Sequence, residues 1–528
     1  MRKFLILALF STLYFGCKKH DLTTPPPSQP VDKTPEVQTN DIAHLTHFSV
    51  VFSGNILDSF GTKIAEMGFV VDTNPSPSVT KNFNKFIVPY ASAGAFMINI
   101  DYLPSATTYY VRAYAIDTFG TGYGAEVKFT TLLDKVYNGD ITLSTQQQVI
   151  DFGAQQYTTI NGGLTVTGSV SDLTPLRGLT VINNGFYVTN SLLTNFAGLD
   201  SVELTGAVFP NGVNIEYNNN LVDFTGLGAL KMTNGDVQIE QNPALQSMNG
   251  LLNYEGANYG GFRIDYCSNL KDLSGLKKMQ FVASNMYFSF DNSLTDLSGI
   301  SNLSAIIGRL YLLNNGSLSR LSGLENIHSL PDGIDIENNP VLADISGLAN
   351  LDSIVSQIGI GSITITNNPE ITDLGAFQHI SHVDYVTIDQ NASLKNLGGL
   401  KGLHSAGRVE IAGDSSLVDL TGLNQLTQVS TLYIMDNPQL ISLNGLDGLS
   451  SITNNPYSLI ILRNNSMTSL QGVEHLSRAD GTVQILSNPA LTDFCPLKLL
   501  FVSGYSAWFV DASNASNPTQ ADVQANCP

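Results

Sequence analysis

Three acidic side chains recur at one register of the sequence: Glu216, Glu240 and Asp265, each standing two residues before Asn218, Asn242 or Cys267. If each acid lies on one strand of a stacked array, neighbouring carboxylates stand about 4.8 Å apart. That is close to the roughly 5–5.5 Å between the two carboxyl groups of a retaining glycosidase. Around them fall Tyr217, Arg263, Tyr266, Tyr287, Phe290 and Tyr311. Aromatic planes beside carboxylates and amides suit a sugar or a basic peptide loop. Two chemistries are therefore open, hydrolysis by paired carboxylates or ligand binding. Polar surface strands produce the same acidic row without catalysis, and nothing in the sequence marks one acid as a proton donor. The expectation is a binding strip made of Glu216, Tyr217, Glu240, Arg263, Asp265, Tyr266, Tyr287, Phe290 and Tyr311, with no catalytic residue and no cofactor.

Other chemistry finds little support. Of the eight histidines only His379 and His382 have a ligand-like spacing, and no third ligand in clear register accompanies them, so no metal site is expected. There is no phosphate loop, dinucleotide fingerprint or Gly-x-Ser-x-Gly elbow.

The elements that must position the strip are repeats. Aligned on a recurring amide, the chain holds fourteen copies, with Thr167, Asn190, Asn218, Asn242, Cys267, Asp291, Asn315, Asn339, Asn368, Asn391, Asp414, Asn437, Asn464 and Asn488 at the shared position. Steps run from 23 to 29 residues. From the third copy on, apolar residues stand three and five places before it, as in Ile334 and Ile336 before Asn339. A spacing of two with β-branched residues predicts one strand per copy with its inward face buried. An Asn carries donors and an acceptor, so a column of them can satisfy the turns of neighbouring coils. Asp172, Asp223, Asp272, Asp296, Asp344, Asp373, Asp419 and Asp493 form a second row. Asp before a bend is expected to cap backbone N–H groups rather than to bind calcium. The glycine of the Leu-x-x-Leu-x-Gly-Leu unit, such as Gly347, is expected to permit a tight bend.

This pattern resembles the leucine-rich repeat, a family that accepts Cys at the amide position, which implies that Cys267 is a buried structural thiol. The segment 139–166 resembles the opening of receptor L-domains, and Thr145 to Gln148 reads as a capping box for a short helix over the first coil. Earlier, "LPSATTYYVRAYAI" resembles the tyrosine-corner strand of fibronectin type III domains, with Tyr109 as the corner residue, and implies a β-sandwich. Strand alternation there turns Tyr110, Arg112 and Tyr114 outward.

At the N-terminus, Arg2 and Lys3 precede an apolar run that stops at Gly16 and Cys17. This resembles a bacterial lipoprotein signal and implies lipidation of Cys17, with Lys18 pointing to the outer membrane. Cys495 and Cys527 are then the two cysteines left, and an oxidising compartment predicts a disulfide between them. The expected order is a signal at 1–17, a Pro/Thr-rich tether at 18–40, a fibronectin type III-like β-sandwich at 41–131, an all-β leucine-rich-repeat solenoid of fourteen coils at 132–495, and a C-terminal cap at 496–528.

The 528 residues are 43% hydrophobic and only 13% charged, yet carry a net charge of −20. So few cations argue against nucleic acid and against a polybasic membrane patch. The expected function is an outer-membrane lipoprotein that binds a protein or glycan ligand and touches the membrane through its lipid alone. Parallel β-helix enzymes that cleave acidic polysaccharides also place carboxylates on neighbouring coils, which supplies the alternative expectation, a polysaccharide-active enzyme.

Overall fold

The structure, a computed structural model, describes residues 33–527 except 44, 46, 48, 90–93, 101–102, 205–211, 356–360, 454–455 and 511–512. The apolar run, Cys17 and most of the expected tether lie outside the described residues. The chain divides into two compact units, Met1–Asp134 and Lys135–Pro528.

In the first unit an antiparallel sheet orders Glu36–Thr39, Val50–Asp58 and Gly94–Ile100. A second antiparallel sheet runs from Asn84–Ile87 through Glu66–Asp72 to Thr108–Asp117, which also pairs with Gly120–Tyr123 and Val127–Thr130. Alternation along Thr108–Asp117 sends Tyr109, Val111, Ala113 and Ala115 into a core with Phe52, Phe69 and Phe129. The strand Glu36–Thr39 falls inside the stretch expected as tether, because Val37 and Thr39 alternate into the protein and pair with the next strand. Tyr114 also departs from expectation. It is fully buried and donates its hydroxyl to Glu66 at 2.8 Å, while Arg112 covers the Tyr123 ring and bonds the Gly124 carbonyl. Tyr110, Arg112 and Tyr114 therefore make no open aromatic face.

The second unit is a parallel β-solenoid of about 15 turns, and the whole chain is only 9% helix. One continuous parallel sheet of 18 strands runs from Ile141–Leu143 to Trp508–Val510. Register is fixed coil by coil: Ile215, Ile239 and Ile264 pair in line, and so do Ile336 and Ile365. A one-residue slip would turn this inward column out to solvent. Shorter pairs such as Met232–Thr233 and Gly256–Ala257 line a second wall, which merges with the main sheet in the long strands His382–Asp389, Ser405–Ala412 and Gln428–Met435. The third wall carries tight 3-10 turns such as Ser346–Leu348. At Gly347 the requirement is close approach more than bending, since a Cβ there would sit 1.9 Å from the Leu321 carbonyl oxygen of the preceding coil.

The amide column is continuous and directional. Asn218 N–H donates to Asn242 Oδ1 at 3.0 Å, and Asn242 Nδ2 reaches back to the Ile215 carbonyl at 2.7 Å and to Glu240 at 3.0 Å. The same bonds recur from Asn315 through Asn339, Asn368 and Asn391 to Asn437, Asn464 and Asn488, and each of these rungs is fully buried. Two expected rungs are displaced. Thr167 pairs with Thr189, which in turn pairs with Glu216, so it stands two places short of the rung. Asn190 occupies the left-handed turn position at φ 51°, and the rung is its buried neighbour Ser191, whose N–H and hydroxyl both donate to Asn218. A further rung appears at Asn514, which accepts from Asn488 N–H at 2.9 Å and bonds the Ile485 carbonyl. With the strand Trp508–Val510 it adds a turn inside the segment expected to be cap alone.

Both ends are closed. The helix Gln146–Ala154 starts from a complete Thr145–Gln148 capping box and buries Val149 and Phe152 over the first coil. At the other end Cys495 and Cys527 form a disulfide. All eight aspartates of the second row accept a backbone N–H two residues on, from Thr174 on Asp172 to Cys495 on Asp493. They cap turns.

Candidate functional site

The outward face of the main sheet carries three side-chain columns per coil. The outermost strand position holds Gln238, Arg263, Tyr287, Tyr311 and Asp335 in consecutive register. Two residues on, Glu216, Glu240, Asp265 and Ser289 follow one another. The third column is the residue just before each rung, which turns the chain in a left-handed conformation: Tyr217 (φ 58°), Tyr266 (φ 53°) and Phe290 (φ 56°). Bulky residues rarely adopt it. Because the coils up to Ser487 share that turn, the conformation belongs to the architecture, and what varies is the side chain it presents. All nine residues of the expected strip thus meet on one face.

How they meet differs from expectation. Tyr287 and Tyr311 stack face to face, with ring centroids 4.2 Å apart and planes 3° from parallel. Tyr266 and Phe290 do the same at 4.3 Å and 6°. Arg263 lies over the free face of Tyr287 at 4.2 Å. Strand spacing explains the stacking, since in-register rings about 4.8 Å apart along a parallel sheet close onto one another. One face of each paired ring is consumed within the protein, Arg263 covers the other face of Tyr287, and the Tyr287 hydroxyl takes the Asn285 Nδ2 donor at 3.2 Å. Sugar stacking, which needs an open ring face, loses its support at Tyr287.

Charge is unevenly balanced. Arg263 sits 3.5 Å from Glu240 and 3.4 Å from Asp265, and Asp265 accepts the Ser289 hydroxyl at 2.7 Å. Arg309 pairs with Asp335 at 3.0 Å in a half-buried bridge. Two carboxylates, Glu240 and Asp265, therefore share one guanidinium, and Glu216 adds a third negative charge beside Glu240. Partial burial pushes the Glu240 carboxyl above the usual carboxylate range; Arg263 opposes this, and the charges of Glu216 and Asp265 add to it. No sequence signal marked Glu240 among the three acids, because its shift comes from burial that the pattern does not reveal. Tyr217 and Tyr266 are exposed, Asp265 is buried, and the remaining members are intermediate.

Elsewhere the late coils change character. Met435, Leu462 and Leu486 take the middle column there, while Ala412 is buried. His379 and His382 are exposed, His382 Nδ1 lies 2.8 Å from the Ser405 hydroxyl, and among the described residues no group of three His, Cys, Asp or Glu is placed to hold a metal. Cys267 is a buried rung whose thiol faces the Ile239 and Asp265 carbonyls, and burial pushes it up, away from thiolate chemistry.

No family model matches this chain, and no curated protein matches it either.

Proposed function

We propose that this protein is an outer-membrane lipoprotein, anchored through Cys17, whose solenoid is a non-catalytic recognition module. The solenoid is of the leucine-rich-repeat and receptor L-domain type, and the first unit is a fibronectin type III-like spacer. The observation that carries the reading is the outward strip from Glu216 to Tyr311, where Arg263 pairs with Glu240 and Asp265, Glu216 adds a third carboxylate beside Glu240, and Tyr287 stacks on Tyr311. Such a surface complements a protein segment bearing Lys or Arg. The net charge of −20 draws cationic partners from a distance.

The test is the triple variant Tyr266→Ala, Tyr287→Ala, Tyr311→Ala, probed on arrays of basic and neutral peptides and of glycans. It should lose peptide capture, while each broken ring pair lowers stability by only about 0.5–1.5 kcal/mol. Capture that survives this variant but fails with Leu462→Glu would place the contact on the late coils and overturn the assignment.

A second reading rests on Glu240. A carboxyl raised by burial and flanked by two other acids resembles the arrangement a glycosidase uses for its proton donor. Under that reading the protein cleaves polysaccharides, and Glu240→Gln abolishes turnover. Absence of any turnover by the parent protein on acidic and neutral glycans removes this reading.

A further inference from the structure

The amide column contains two rungs that are acids, Asp291 and Asp414, and their geometry says what form they take. In an amide rung one side-chain atom accepts and the other donates. Asn391 receives nothing on its Nδ2, which instead donates to the Ile365 carbonyl at 2.9 Å and to the Asp389 carbonyl at 3.1 Å. Asp414 keeps the accepting half, since its Oδ1 takes the Asn391 N–H at 2.8 Å. Its Oδ2 is buried with no hydrogen-bond partner among the described residues. The repeat sets that oxygen where every Asn has its donor, among the carbonyls of Ile388 and Ala412. Asp291 is built alike: Oδ1 accepts from Cys267 N–H at 2.9 Å, Oδ2 is buried without a partner, and the corresponding carbonyl is that of Ile264. Both residues are fully buried. An ionised carboxylate there would aim negative charge at carbonyl oxygens with no donor among the described residues. A protonated one supplies the missing donor.

We propose that Asp291 and Asp414 are held as neutral carboxylic acids in the folded solenoid, each acting as an amide mimic, so that the array carries two proton-dependent rungs and loosens as the pH rises.

The electrostatics agree with the geometry. Burial pushes the Asp414 carboxyl up to about 7 against the pull of its Asn391 bonds, and Asp389 of the preceding coil adds like charge. Burial moves Asp291 well above its ordinary value, and the nearby charge, Asp265, is again an acid. The flanking rungs Asn391 and Asn437, and Cys267 and Asn315, bring no cation. Asp389 is itself pushed up by burial and by Glu410 and Asp436, so it titrates in the same direction. For a group whose folded value is raised, the stabilisation is complete below the unfolded value and is lost as pH climbs through the folded one. For Asp414 that window opens near the ordinary aspartate value of 3.8 and closes at about 7. One extra proton held by the folded state raises the unfolding constant up to about tenfold per pH unit across that window.

The experiment compares the parent with Asp414→Asn, Asp291→Asn and the double variant in denaturant unfolding at pH 5, 7 and 9. Asn is the residue found at most other rungs, so these variants keep the stack. The parent's midpoint should fall from pH 5 to pH 9, each single variant should fall less, and the double variant least. An infrared band of protonated carboxyl groups, measured on the folded protein at pH 6, should be present in the parent and reduced in the double variant. Parallel midpoint curves for all four proteins, or an unchanged band in the double variant, would overturn the proposal. Because Glu240 also titrates high, Glu240→Gln serves as the reference, and a parent slope removed by that change alone would likewise overturn it.

Discussion

Replacing Asn339 by Ala measures what one rung contributes. The side chain is fully buried near the middle of the array. Its Oδ1 accepts the Asn315 N–H at 3.0 Å, and its Nδ2 donates to the Leu312 carbonyl at 2.9 Å and the Glu337 carbonyl at 3.1 Å. Truncation leaves the Asn315 N–H without its partner and takes one donor each from the Leu312 and Glu337 carbonyls, the latter keeping the Asn314 N–H. A buried orphan group costs about 1–3 kcal/mol. With two further bonds lost at about 0.5–1.5 kcal/mol each and some relaxation around the vacated space, a loss of about 2–4 kcal/mol is expected for the coil. The assay is guanidinium unfolding followed by far-ultraviolet circular dichroism, with fluorescence of Trp508 reporting on the C-terminal end separately. Val341→Ala, at an exposed site in the same coil, is the comparison and should stay within about 0.5 kcal/mol of the parent. If Asn339→Ala unfolds at the same midpoint as Val341→Ala, the rung bonds do not hold the stack.

Ile336→Asp places an unpaired charge on the inward column and should lower stability by several kcal/mol or prevent folding, read by the same melts. Reducing the Cys495–Cys527 bond opens a loop of 32 residues and should lower stability by about 4 kcal/mol, with the Trp508 signal moving first because its ring packs edge-on against Phe494 and Phe501. Cys17→Ser should shift the protein from the membrane fraction to the soluble one on fractionation, and unchanged partition would sink the lipid anchor.

The repeat was legible because its signals are local and periodic. An inward pair such as Ile334 and Ile336 followed by Asn339 states strand, face and turn in six residues, and the structure keeps that register from Asn218 to Asn488. The early rungs were misplaced because Ser191 carries a hydroxyl where an amide was sought, and Asn190 stood one residue away. Asn514 escaped because the chain between it and Asn488 passes through a helix, Lys498–Val502, before its strand returns. In the site, pairing told which residues are neighbours but not how their rings turn. The stacking of Tyr287 on Tyr311, and the burial that raises Glu240, depend on side-chain torsions and packing that the pattern does not encode. The acid rungs were visible as letters, yet their protonation follows only from which oxygen lacks a donor.

The direction of the rung bonds carries a consequence for how the protein is made. At rung after rung the backbone N–H is satisfied by the side chain of the coil that follows, as Asn218 is on Asn242 and Asn488 on Asn514. A chain delivered N-terminus first therefore cannot complete any coil until its successor has arrived. Every nascent intermediate ends in a turn with an unanswered amide, a surface ready to accept the next coil or the wrong chain. That vulnerability closes only when Asn514, itself held by Asn517, is in place and the cysteines on either side of it have joined.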